Sequence, residues 1–156
     1  MVMSGTKQIQ GILVAPYKGE FVEIGKSIAK TLKKDNIELD LIDDSIPAGT
    51  LWIERVQRAI ERADFILADI TDKNPDVMYE VGFARALRKR ILPVVKRGVG
   101  RIPFVLAGYT YLIYDPENLD DLSQEIRSWA SRQRWPGWLA ERALARYEAK
   151  KSEQSS

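Results

Sequence analysis

Three observations predict a doubly wound α/β fold. Apolar runs of strand length recur along the chain, helix-period apolar stripes lie between them, and turn signals mark nearly every junction. The chain has 156 residues, which suits one domain with one core.

Gln8 to Ala15 (QIQGILVA) reads as a buried strand ending in Pro16-Tyr17-Lys18-Gly19. A helix follows, with Phe21, Ile24, Ile28 and Leu32 on one face. Glu38 to Ile42 is a short second strand, and Asp43 to Gly49 a turn-rich loop. Thr50 to Arg62 forms the second helix, turning Trp52, Val56, Ala59, Ile60 and Ala63 to the core. Ala63 to Ile70 (ADFILADI) is a third strand, apolar on both faces as a covered strand should be. A loop from Thr71 to Pro75 leads into a helix from Asp76 to Lys89. Ile91 to Val95 is the fourth strand, Lys96 to Arg101 a basic loop, and Tyr109 to Tyr114 the fifth strand. Leu119 to Arg132 closes the alternation as a helix bearing Leu119, Leu122, Ile126 and Trp129.

Five strands alternating with helices at βαβ spacing predict a parallel, flavodoxin-like sheet of order 2-1-3-4-5, with helices on both faces. Pro93 conflicts with this order, because it falls inside an internal strand and cannot donate a ladder hydrogen bond; a bulge or a shortened strand is expected there. After Trp135-Pro136-Gly137 an extra C-terminal helix is expected from Trp138 to Lys151. The organisation is therefore a domain over 1–134, a helical segment over 135–151 and a disordered tail over 152–156.

The chain has no Cys and no His. That excludes disulfides, thiolate metal sites, an imidazole base and a Ser-His-Asp triad. Acid–base or nucleophilic work must fall to carboxylates, Lys, Tyr or hydroxyls. No apolar run reaches signal-peptide or membrane-span length, so a cytoplasmic protein without membrane contact is expected. Charge is uneven. Asp35 to Asp72 holds ten acids against three bases, and Arg85 to Arg101 seven bases and no acid. Two solvated faces account for this, as does a basic rim drawing in a phosphorylated ligand. Aromatics are not interleaved with the bases, so nucleic acid is not expected as a partner.

Ligands in such sheets bind at the carboxyl ends of the strands where the strand order reverses. Here the loops Pro16–Glu20 and Asp69–Glu80 must meet. Asp69 ends a buried strand, Asn74 lies in the loop, and Glu80 sits in the first turns of the next helix. A carboxylate there is favoured as the anion by the helix dipole, and an anion is what attack on an anomeric carbon requires. Alternatively, these acids merely favour the helix start and Asp69 caps a turn. Trp52, Trp129, Tyr109 and Tyr111 fall on expected core faces, whereas Tyr17 and Tyr79 lie beside the expected pocket.

The run from Ala63 to Leu87, with ADIT followed by NPDVMYEVGFARAL, resembles the nucleoside 2-deoxyribosyltransferase-like superfamily, which includes 2-deoxynucleotide N-hydrolase-like and TIR-like nucleotide-binding branches. Trp52–Ala63, Ile102-Pro103-Phe104 and Tyr111–Tyr114 extend the resemblance. It implies that Glu80 is the nucleophile that takes the sugar and that Asp69 assists the leaving base. It further implies that Asn74 or Asp76 contacts the sugar, and that Tyr17, Lys18 and Gly19 supply a lid. Tyr79 and the acidic stretch containing Asp43 join the binding set. The implied activity is N-glycosidic cleavage or deoxyribosyl transfer on a nucleoside or nucleotide, without metal or cofactor. The rivals are NAD cleavage and a nucleotide-binding signalling module without turnover. Related enzymes form oligomers, and Trp135 and Trp138 make the C-terminal segment apolar enough to suggest a homo-oligomer here. Two departures stand out: the first loop lacks a Gly-Ser-rich phosphate cradle, and Arg88 replaces a Gly that often closes the third helix.

Overall fold

The computed structural model describes residues 8–42, 47–100, 106, 108–135 and 151. Nine elements follow one another: β1 (Ile9–Val14), α1 (Glu20–Lys33), β2 (Ile37–Leu41), α2 (Trp52–Arg62), β3 (Phe65–Asp69), α3 (Pro75–Ala86), β4 (Arg90–Lys96), β5 (Leu112–Tyr114) and α4 (Leu119–Ser131). The sheet is parallel throughout, in the order β2-β1-β3-β4-β5. The fold is therefore the flavodoxin-like one that the alternation predicts. Among the described residues no helix is long and apolar enough to cross a membrane.

Side-chain alternation along the strands builds two cores. Phe65 and Leu67 of β3 face α1 and α4, together with Leu13, Leu92, Val94 and Tyr114. Ile66, Ala68 and Ile70 face α2 and α3, together with Ile12, Val14, Val56, Ile60, Val77 and Val81. Phe65 is fully buried against Trp129 and Trp135, with ring centroids 5.4 and 5.9 Å away. Gly11 on the neighbouring strand leaves the room: a Cβ there would stand 2.4 Å from Cζ of Phe65. Trp135 is thus an internal residue, its indole N–H donating to the carbonyl of Ala130 and its face covered by Arg90. Trp135 is one of the two tryptophans behind the homo-oligomer expectation, and it packs on its own domain. Trp138 and the expected C-terminal helix lie outside the described residues, apart from Lys151.

Pro93 causes neither a bulge nor a shortened strand. Pairing of β4 with β3 runs unbroken from Phe65↔Arg90 to Asp69↔Val94. The Val94 carbonyl accepts from Ile70 N–H on the β3 side. Pro93, one residue earlier, therefore turns its donorless nitrogen to the other edge, where β5 pairs only from Val94 onward. The fifth strand is accordingly shorter than the sequence suggests. Tyr111 precedes it and is 41% exposed, not a core residue.

Arg88 follows α3 with φ 57°, in the left-handed region that a Gly adopts without strain. Arg88→Gly should stabilise the fold by about 0.5–1 kcal/mol, read as a higher urea midpoint at unchanged slope. An unchanged midpoint would show that the arginine makes contacts that offset its backbone strain.

Candidate active site

The reversal of strand order lies between β1 and β3, so the loops after these strands share one end of the sheet. Asn74 caps α3: its side-chain oxygen accepts from the backbone N–H groups of Asp76 (2.9 Å) and Val77 (3.3 Å). Pro75 supplies the first helical residue, which needs no donor. Asn74, expected as a sugar contact, is thus the helix cap, and Asp76 is the exposed acid of the first turn.

Glu80 is different. It lies on the inward stripe of α3 with Val77, Val81 and Ala84, and is only 2% exposed. Its Oε2 is enclosed and has no hydrogen-bond partner among the described residues. Sequence reasoning expected the helix dipole to hold this group as an anion. Glu80 is the sixth residue of α3, however, and the dipole's effect fades within the first turn. Burial wins. Loss of solvation, with the charge of Asp76 one turn earlier, pushes the Glu80 carboxyl up from 4.5 to about 7. At neutral pH it is poised between acid and anion.

Asp69 is also buried, at 4% exposure, but every oxygen is occupied. Oδ1 accepts from Thr71 N–H (3.0 Å) and the Thr71 hydroxyl (2.6 Å), and Oδ2 accepts from the Tyr114 hydroxyl (2.6 Å). Burial raises its carboxyl and these bonds oppose the rise. The Thr71 hydroxyl in turn accepts from Lys96 N–H at 2.9 Å. Alternation along β3 turns Asp69 to the α1–α4 face with Tyr114, whereas Glu80 packs from the α2–α3 face. Asp69 shares no hydrogen bond with Glu80, and through Thr71 and Tyr114 it ties the ends of β3, β4 and β5. Tyr114→Phe should cost about 1–3 kcal/mol by leaving Oδ2 buried without its donor, measured by urea unfolding. A cost near zero would free Asp69 for another task.

The remaining residues divide the same way. Tyr17 is half-buried on Glu80's side of the sheet and meets Trp52 edge to face, centroids 5.1 Å apart. Trp52, at the start of α2, is partly buried against the α2–α3 core, as expected. Lys18 is exposed and pairs with Asp72 at 3.3 Å, and Gly19 begins α1 with φ 54°. Tyr79 is 52% exposed and its hydroxyl accepts from Gln57 on α2, one residue round the helix from Glu80. Asp43 lies outside the described residues.

The six described bases of the run do not form one rim. β4 divides them, its ends about 20 Å apart at strand rise. At the amino end Lys89 donates to the carbonyls of Glu61 and Ala63, and Arg90 to that of Arg134. At the carboxyl end Lys96 pairs with Glu20 at 2.9 Å.

A family model described as TIR domain matches residues 17–127. No curated protein matches the chain. Among solved structures, the TIR domain of a Toll-related receptor from Hydra magnipapillata aligns with a TM-score of 0.61 at 16% identity, over 79% of this chain and 98% of that one. A CMP N-glycosidase of Clostridium botulinum aligns with a TM-score of 0.59 at 18% identity, over 75% of this chain and 97% of that one. At these identities the likeness is one of fold.

Proposed function

This chain belongs to the TIR domain family, and from that premise we propose that it binds a nucleotide and cleaves its N-glycosidic bond with Glu80. The carrying observation is the Glu80 carboxyl itself. A buried carboxyl with an unpartnered oxygen is costly to a fold, and such groups concentrate where chemistry needs them. The fold shared with a CMP N-glycosidase supports a nucleotide as the substrate class.

In this reading Glu80 as the anion attacks the anomeric carbon. The bond to the base nitrogen breaks, its electron pair leaves with the base, and a solvent proton neutralises it. Water then hydrolyses the glycosyl ester, or a second base displaces the carboxylate. The enclosed, low-dielectric setting favours this step, because a carboxylate stripped of water is a stronger nucleophile and the developing positive charge on the sugar attracts it. Tyr17 and Trp52 form the aromatic wall, and Asn74 holds the start of α3 that carries Glu80. Asp69, held by Thr71 and Tyr114, sets the positions of the strand ends.

The decisive test is incubation with nucleosides, nucleotides and NAD, following released base by chromatography. Free nucleobase supports the proposal, and nicotinamide assigns the same bond scission to NAD. Binding without any product makes the protein a sensor and defeats the glycosidase reading. A pH profile adds a second check. Because the anion is the nucleophile and its carboxyl sits at about 7, kcat/KM should rise with pH through that value and level off above it. A profile flat from about pH 5.5 to 8.5 would exclude Glu80 as the attacking group.

A further inference from the structure

A groove of about 460 Å³ runs beside α2, lined also by Gln10 and Gly11 of β1 and Asp40 of β2. The segment from Asp35 to Asp72 contains ten acids and three bases, and all three bases, Arg55, Arg58 and Arg62, line this groove. Their spacing places them on one side of the helix. Arg58 is partly held by Glu54 at 3.7 Å. Arg55 and Arg62 make no ion pair among the described residues, and stand about 10 Å apart along the helix axis at 1.5 Å per residue. Asp40 lies across from them. It is the register partner of Ile12, whose side chain faces α2, so it projects into the same groove. It too has no ion pair among the described residues. The groove therefore holds guanidiniums on its wall and a carboxylate on its floor, with no ion pair between them among the described residues.

We propose that this groove binds a phosphorylated small molecule of the nucleoside diphosphate class, with phosphates against Arg55 and Arg62 and a hydroxyl or amine donating to Asp40. Guanidinium forks match phosphate oxygens in pairs, which supplies the anchor. The volume is that of a small-molecule site. Asp40 and Glu54 disfavour a purely anionic occupant and favour one that carries hydrogen-bond donors as well. The groove shares no lining residue with the Glu80 site, so the proposal stands apart from the glycosidase reading.

The test is calorimetric titration of the full chain at fixed ionic strength with two probes, ADP and inorganic pyrophosphate. The latter has no N-glycosidic bond and no donor-rich sugar. Arg55→Ala with Arg62→Ala should weaken both probes at least about tenfold, while Arg97→Ala, outside the groove, should leave both unchanged. Asp40→Asn should split them: ADP weakens because its acceptor is poorer, and pyrophosphate tightens because a repelling charge is gone. All these positions are exposed, so the fold is retained and circular dichroism can verify it. Unaltered binding of both probes in the double arginine variant overturns the proposal, as does an Asp40→Asn variant that shifts the two in the same direction.

Discussion

Glu80→Gln should lower turnover at least about 10³-fold, roughly 4 kcal/mol of transition-state stabilisation, and at the same time make the protein more stable at pH 8. The two effects share one cause. The carboxyl titrates near 7 in the fold against 4.5 ordinarily, because burial disfavours the anion. Below about 4.5 both folded and unfolded chains hold the proton and nothing is lost. As pH rises through 4.5 the unfolded chain releases it first, so stability falls until the folded form also ionises, near 7. Above that the loss is constant at roughly 3 kcal/mol. Glutamine fills the same space without a proton to lose and escapes that loss. Melting curves at pH 5 and pH 8 should coincide more closely for the variant than for the wild type, with a gain of several degrees at pH 8. Full activity in Glu80→Gln would end the assignment, and a melting temperature lowered at pH 8 would contradict the buried, unpartnered carboxyl. Intact-protein mass spectrometry with a 2-fluoro-2-deoxy nucleoside supplies the covalent check: a sugar-sized adduct should map to Glu80.

Phe65→Ala should cost about 3–5 kcal/mol, a large part of the 5–15 kcal/mol that holds a domain of this size. The ring is fully buried, two tryptophans rest on it, and the absence of a side chain at Gly11 is shaped to it. Its removal leaves a cavity that three separate elements cannot all close. Denaturant unfolding followed by tryptophan fluorescence reads both the lost stability and the altered surroundings of Trp129 and Trp135. A loss under about 1 kcal/mol would mean that the tryptophans collapse into the space.

The architecture was legible because period and alternation are local. Each strand and helix is encoded in its own apolar spacing, and right-handed crossovers leave few ways to stack them. The partners of individual polar groups are set by the tertiary fold and were not legible. Asp69 reads equally as a ligand contact or a turn former; its commitment to Tyr114, 45 positions away, emerges only when β5 is aligned beside β4. Parity offered a hint, since both residues end strands and turn to the same face. The upward shift of the Glu80 carboxyl was not legible because helix position is visible in sequence and depth of burial is not. The seven-base run left a solvated face and a rim both open for a related reason: proximity along the chain is not proximity in space once a strand carries the chain across the sheet.

Pro93 has a consequence beyond its own strand. A row of free backbone donors and acceptors at a sheet margin invites another chain to add itself as a further strand, the route to fibrous aggregates. At one margin here, β5 offers three residues, and the strand behind it lacks a donor where an amino-terminal extension would pair. At the other, β2 carries Glu38 and Asp40. Neither margin is a good template for growth. If copies of this chain associate, strand pairing at these margins is a poor route to it.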